Sequence, residues 1–214
     1  MQSTVQVKRG YNRLAGLYDL LKQLVFGNAL NRAELHSIEW LKECDTVLIL
    51  GGGTGKFLES LIRLNVKQII YVELSDKMIE KTKKRIEKNN ENTSRVIFVQ
   101  KSWEEYVPEE PIDAIVCNFF LDMYPEHSIK RIIDHNSLSM KQGGIWYITD
   151  FYLQAESARL NKYLVKTMYA FFVTMCSIEA RQLPNIFSCF SAKEFDEKVR
   201  LESNYLRQSI FQKK

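Results

Sequence analysis

The hydrophobic positions of this chain change rhythm twice. Tyr11, Leu14, Tyr18, Leu21 and Val25 recur at alternating spacings of three and four, which predicts a first helix with one apolar face, and a second helix is predicted over about residues 31–43. From residue 46 onward, short β-branched and aliphatic runs near 46–50, 68–73, 95–100, 112–117 and 144–150 alternate with helix-like stretches near 55–64, 76–89 and 126–139. Strands separated in sequence by helices predict parallel pairing through right-handed crossovers. After residue 151 the rhythm is helical again over 159–178, where the apolar run MYAFFVTMCSI is too short to cross a bilayer. The signals then conflict: Ser191 with Glu194 has the form of a capping box, yet KVRLE alternates as a strand does, and YLRQSIFQ suits a partner strand after the turn residues Ser203 and Asn204.

The most informative segment is VLILGGGTG at 47–55, which ends in a glycine cluster with KFLESLIRL directly behind it: a strand, a turn and a helix. Glycine permits a tight turn and close approach of a ligand, and a helix start offers free N–H groups to polar or anionic atoms. About twenty residues further on, the run IIYV ends in Glu73, placed to accept hydrogen bonds from ribose hydroxyls. Together these features predict a nucleoside-containing cofactor. Spacing narrows the choice, because G-x-G-x-x-G counted through Gly51 and Gly53 puts Lys56 at the third glycine, and no G-K-[ST] follows at the P-loop distance. In an open α/β sheet a ligand sits beyond the carboxyl ends of the strands, where Gly51, Glu73, Ser102, Asn118 and Asp150 all fall.

The compact GGGTG turn resembles motif I of the class I S-adenosylmethionine (SAM) dependent methyltransferases, and further motifs follow in that family's order. YVELSDKM resembles the acidic-loop motif, and FVQKSWEE at 98–105 resembles the end of the third strand, where a residue contacts adenine. IDAIVCNFFLDMY at 112–124 resembles the fourth strand with its active-site loop, and LSMKQGGIWYITDF at 138–151 the turn and fifth strand. Ahead of them, YNRLAGLYD at 11–19 resembles the N-terminal helix of the ubiquinone and menaquinone C-methyltransferases and their small-molecule relatives.

The resemblance implies an α/β, Rossmann-like three-layer sandwich: a mostly parallel seven-stranded sheet with an antiparallel C-terminal hairpin. It thereby favours a short helix followed by a β-hairpin near the C-terminus. One domain is expected, with an N-terminal helical cap at 1–44, a cofactor-binding core at 45–151, a helical insert at 152–182 and the C-terminal helix and hairpin at 183–214. The residues implied to hold SAM are Tyr18, Gly51, Gly52, Gly53, Gly55, Glu73, Leu74, Ser102, Trp103 and Asn118. Two positions depart from the family pattern. Ile49 stands where most members carry an acid two positions before the first glycine, and Ser102 where an Asp is usual. Ile49 removes a carboxylate from the cofactor end of the strand, whereas Ser102 still offers one hydrogen bond to adenine.

Composition fits one α/β domain: 214 residues at 45% hydrophobic and 26% charged suffice to bury a full core. The net charge of +4 is mild, and KTKKRIEK beside Glu80 and Glu87 reads as a solvated helix face, so nucleic-acid binding is not expected. MQSTVQVKRG has no apolar signal-peptide core and no stretch is long enough to span a membrane, which makes a cytoplasmic location the expectation. Cys44, Cys117, Cys176 and Cys189 lie far apart without C-x-x-C spacing and read as buried reduced thiols; with three histidines, no metal centre is expected.

Several residues admit two roles. Four glycines in the turn are costly in backbone entropy without a close ligand, which favours binding over a purely structural turn. Trp103 suits stacking on adenine or covering the sheet edge. Tyr11 and Tyr18 suit core or cleft. Tyr169, Phe171, Phe172 and Met175 suit a substrate pocket, a packed helix or a homodimer contact. Asp122, which follows a buried strand, is the better catalytic candidate; Asp150 and His127 are alternatives as bases, although a histidine after Pro125 and Glu126 reads as solvent-facing. The expected activity is methyl transfer from SAM to an oxygen, nitrogen or carbon of a small apolar or aromatic acceptor. The alternatives are an NAD-dependent oxidoreductase, which needs other glycine spacing, and a non-catalytic SAM-binding module, to which Ile49 and Ser102 give credit.

Overall fold

A computed structural model describes residues 4–89, 93–154, 158–203 and 205–214. In chain order the elements are α1 (Thr4–Leu14), α2 (Tyr18–Phe26), α3 (Ala29–Leu35), β1 (Thr46–Leu50), α4 (Lys56–Leu61), β2 (Gln68–Val72), α5 (Asp76–Lys88), β3 (Val96–Val99), β4 (Ile112–Asn118), α6 (Glu126–Ser137), β5 (Met140–Phe151), α7 (Arg159–Cys176), β6 (Phe195–Ser203) and β7 (Leu206–Lys213). The seven strands form one sheet in the order β3-β2-β1-β4-β5-β7-β6. Pairing is parallel from β3 to β5, and β7 runs antiparallel between β5 and β6. This is the Rossmann-like architecture implied by the motifs.

Alternation of side chains across the central strands builds two cores. Leu48, Leu50, Ile115, Cys117, Trp146 and Ile148 pack on one face against Ile129, Ile132 and Ile133 of α6. Val47, Ile49, Tyr71, Val116 and Tyr147 pack on the other against Phe57, Leu58 and Leu61 of α4 and Ile86 of α5. A third cluster, with Leu14, Leu30, Phe151, Val165, Tyr169 and Cys176, ties the N-terminal helices to α7 at the carboxyl end of the sheet. All four cysteines are free and buried, and no described helix is long and apolar enough to cross a membrane.

The flanking segments depart from the predicted boundaries. The first helix is broken: α1 ends at Leu14 and α2 begins at Tyr18, with exposed Gly16, a poor helix former, at the break. Val25, expected on the apolar face, is exposed. The second predicted helix is also split, into α3 and a 3-10 turn at Ile38–Leu41. Here side chains of the sheet take the carbonyls that a continuous helix would use: Gln208 Nε2 donates to Ala33 O at 2.7 Å and the Tyr147 hydroxyl to Glu34 O at 2.5 Å. Strand β5 starts earlier than predicted, and the pairing with β4 absorbs the glycines through a register shift between Ile112 and Ala114.

No helix starts at Ser191. Its Oγ accepts the Lys193 N–H, its carbonyl closes a single turn with Glu194 and Phe195, and the buried Phe195 opens β6; the short helical turn lies earlier, at Ile186–Cys189. The predicted hairpin is present, though Asn204 of its turn lies outside the described residues.

Candidate functional site

A cleft of about 230 Å³ opens at the carboxyl ends of β1, β2 and β4. The turn after β1 forms its floor: Gly51 N–H donates to Val72 O at 2.9 Å, and Gly53 N–H donates to Glu73 Oε2 at 2.9 Å. Tyr71 OH and Thr82 Oγ1 both donate to Gly53 O, at 3.0 and 3.1 Å, so the turn is held from beneath. What occupies the space of a missing Cβ separates the four glycines. At Gly51 it would lie 2.2 Å from the Phe120 ring, at Gly52 2.2 Å from Tyr71 Cζ and at Gly55 2.4 Å from Thr82 Cγ2, whereas at Gly53 (φ +62°), its chain neighbours aside, no atom of the described residues lies within 4 Å. The protein's own packing therefore excludes a side chain at three of the four glycines. Gly55 starts α4 and does not line the cleft; Gly51, Gly52 and Gly53 do.

Glu73, Leu74, Ser102, Trp103, Asn118 and Tyr18 all line the cleft. Burial raises the Glu73 carboxyl above its usual range, opposed by the N–H groups of Ser75, at 2.8 Å on Oε1, and Gly53. Trp103 is buried, edge-on to Tyr124 and His135 and covered by the Arg131 guanidinium, so it serves the core while facing the cleft. Asn118 ends β4 with both amide atoms buried and, among the described residues, unpartnered. Buried polar atoms are almost always hydrogen-bonded, so an unpaired amide on a cleft wall marks a place for a polar ligand atom. Phe119 follows at φ +52°, a left-handed conformation that costs an aromatic residue about 1–2 kcal/mol.

Asp122 stands apart from this cleft. It lines a second cavity, of about 30 Å³, together with Tyr11, Tyr18, Phe119, Met168 and Phe172. Its backbone N–H donates to Asp150 Oδ2 at 3.2 Å, and the Tyr169 hydroxyl donates to its carbonyl at 2.9 Å. Burial raises the Asp122 carboxyl, and burial together with the charge of Asp122 raises Asp150. Asp150 lines neither cavity. His127 is exposed on the cleft rim. Of the α7 residues, Tyr169 is buried and Phe172 faces the small cavity, while Phe171 and Met175 are partly exposed.

The N-terminal helices are fastened over the turn by polar groups that the sequence did not single out. Asp19 accepts from Thr54 Oγ1 at 2.6 Å and from Arg85 at 2.6 Å and pairs with Lys81; against the cost of burial, these partners hold its carboxyl below the usual range. Asn12 donates to Asp76 at 3.0 Å and accepts from Ser75 Oγ at 2.6 Å. Lys22 and Glu34 line the cleft as an ion pair 2.5 Å apart. Burial, then the charges of Glu34 and Asp122, hold the Tyr18 phenol far above its usual range. The one available signal for Glu34 was a charge on the apolar stripe of Leu30 and Leu41. Among the described residues there is no cluster of metal-ligating side chains.

Residues 47–144 match the family model described as a methyltransferase domain. No curated protein matches the chain in sequence. Among solved structures, the mitomycin 7-O-methyltransferase MmcR superposes with a TM-score of 0.72 at 12% identity, covering 95% of this chain and 60% of its own. The DhpI–SAH complex gives 0.64 at 14% identity over 98% and 96%. The N-methyltransferase NodS from Bradyrhizobium japonicum WM9 gives 0.57 at 16% identity over 86% and 92%. At such identities the likeness is one of fold, and this chain spans 60% of the length of MmcR.

Proposed function

We propose that this chain, which has the class I methyltransferase fold and carries a methyltransferase domain over residues 47–144, binds SAM in the cleft and methylates an oxygen, nitrogen or carbon atom of a small apolar or aromatic acceptor. One observation carries the cofactor reading: the open side of Gly53, the Glu73 carboxylate and the unpartnered Asn118 amide share one cleft. With the N–H groups of Gly53, Ser75 and Leu74 directed at it, the Glu73 carboxylate retains one of its about four acceptor sites for a ribose hydroxyl. Leu74, Ser102 and Trp103 line the part of the cleft assigned to adenine. SAM, when bound, supplies a methyl group activated by its sulfonium.

The chain's own tasks are alignment, exclusion of water and proton removal where the acceptor needs it. The second cavity supports an apolar or aromatic acceptor, since Tyr11, Tyr18, Phe119, Met168 and Phe172 line it. At about 30 Å³ it has room for one or two waters, so the helices over it must part to admit a larger molecule. In this reading residues 1–44 and 152–182 are the movable cover of a core at 45–151. Asp122 faces that cavity, and its carboxyl, pushed up to about 7, suits a group that takes and returns a proton near neutrality. Asp122 is accordingly the proposed base.

Calorimetric titration with S-adenosylhomocysteine (SAH) and with NADH tests the cofactor. Transfer of a labelled methyl group from SAM to a panel of phenols, amines and activated carbon acids tests the reaction. Binding of SAH and not NADH is expected; NADH binding without SAH binding would replace this reading with a dehydrogenase.

A further inference from the structure

The Lys22–Glu34 pair poses a physical question of its own. The side chains are only 13% and 6% exposed, on separate helices, with Nζ and Oε1 2.5 Å apart. Desolvating such a pair costs several kcal/mol, and apolar residues of similar volume often serve stability as well or better. Stability alone therefore gives no reason for placing two opposite charges on the wall of a cleft. Neither partner is saturated: among the described residues the only other contact of the Lys22 ammonium is with the Phe119 ring, 5.1 Å from its centroid, and the Glu34 carboxylate has no second hydrogen-bond donor. Glu34 is also firmly seated, because its backbone carbonyl accepts from the Tyr147 hydroxyl.

The neighbourhood completes the pattern. Ile49, Tyr18 and Asn118 line the same cleft, and the end of β1 presents there an apolar side chain and no carboxylate. We infer that Lys22 and Glu34, with the Asn118 amide, form the subsite for the α-amino-acid end of the cofactor, Lys22 facing its carboxylate and Glu34 its ammonium. A zwitterion carries opposite charges on substituents of one carbon, and a tight pair of opposite charges is its complement. The unpaired amide supplies a donor and an acceptor for the remaining valences. The carboxylate absent at position 49 is thus supplied from α3. This assignment rests on the cleft being a SAM site.

The test compares SAH with 5′-methylthioadenosine, which has the nucleoside and the sulfur but no amino-acid end. Both are titrated by calorimetry into the parent, Glu34→Gln, Lys22→Met and the double variant Lys22→Met/Glu34→Gln. The double variant leaves no unpaired buried charge and so guards against loss of the fold, which thermal unfolding checks. The expected result is a loss of about 10- to 100-fold in SAH affinity in the variants that fold, the scale of charge-assisted hydrogen bonds, with methylthioadenosine affinity held within about twofold. Parallel losses for both ligands, or unchanged SAH affinity in the double variant, overturn the subsite. If the parent binds neither ligand, the SAM site itself falls, and the subsite with it.

Discussion

Gly53 and Gly52 are adjacent, both line the cleft, and the structure assigns them opposite reasons for being glycine. Alanine at 53 meets, beyond its chain neighbours, no atom of the described residues within 4 Å, so its cost is confined to the left-handed backbone at φ +62°, about 1–2 kcal/mol. Alanine at 52 drives its Cβ to 2.2 Å from Tyr71 Cζ, and Tyr71 is fully buried with its hydroxyl bonded to Gly53 O and Thr82. Overpacking of about 1–3 kcal/mol, plus two strained hydrogen bonds at about 1 kcal/mol each, brings that substitution to about 3–5 kcal/mol. In a chain of this size 1 kcal/mol moves Tm by about 2–4 °C. Differential scanning calorimetry should therefore show Gly53→Ala lowered by about 2–8 °C and Gly52→Ala by about 6–20 °C. Titration with SAH should give the other half of the contrast: Gly53→Ala, nearly intact as a fold, loses about tenfold or more in affinity, equivalent to at least about 1.4 kcal/mol. Undiminished SAH binding by Gly53→Ala would remove the ligand from this wall, and equal destabilisation by the two substitutions would refute the packing argument.

Three further outcomes are expected. Glu73→Ala should weaken SAH binding by roughly 1.5–3 kcal/mol with Glu73→Asp intermediate, measured by calorimetry; equal affinity in all three proteins removes Glu73 from the ribose site. Asp122 and Asp150 are raised above their unfolded values, so the native state binds more protons than the unfolded one and stability falls as pH rises from the ordinary carboxylate range through about 7. Asp122→Asn should flatten that slope and raise Tm at pH 8 relative to the parent, and parallel Tm–pH curves for the two proteins would show that Asp122 takes up no proton on folding. Hydrogen exchange with and without SAH should show added protection in residues 11–25 and 159–176 as well as the glycine turn, whereas unchanged exchange in both helical segments would make them ordinary core and send the search for the acceptor pocket elsewhere.

The strand–helix alternation between residues 46 and 151 was legible because each buried parallel strand announces itself locally as an apolar run. Helix ends were not, because distant groups decide them. The end of α3 is set by Tyr147 and Gln208, which draw off its last carbonyls from far along the chain, and the turn at Ser191 stays a turn because Phe195 is pulled into the core as the first residue of β6. The glycine turn shows the same division within the site. A row of glycines tells that side chains are excluded but not by what, and the excluding groups, Phe120, Tyr71 and Thr82, come from three other segments. Asp122 was visible as an acid after a buried strand; its enclosure with Asp150 and Tyr169 was not, since α7 provides the lid.

Lys22 and Glu34 were passed over for a reason that bears on how departures from a motif are weighed. Each lies on a short helix where a charge normally signals a solvated face, and each becomes a cleft residue only because α2 and α3 contribute to the wall of the cleft that the end of β1 also lines. In the strand itself, Ile49 shows only that an acid is missing. A strand position and a helix position line one cleft from different segments, and a linear motif follows only the first. The apolar residue at 49 even favours the second route, since a strand carboxylate there would add a second negative charge to the cleft wall that Glu34 already lines. An aspartate introduced at position 49 alone should therefore weaken the site rather than restore the family pattern, and Ile49→Asp should gain SAH affinity only when Glu34 is neutralised in the same chain. Titration of the single and double variants decides the point, because additive effects of Ile49→Asp and Glu34→Gln would mean that the two positions do not serve the same charge.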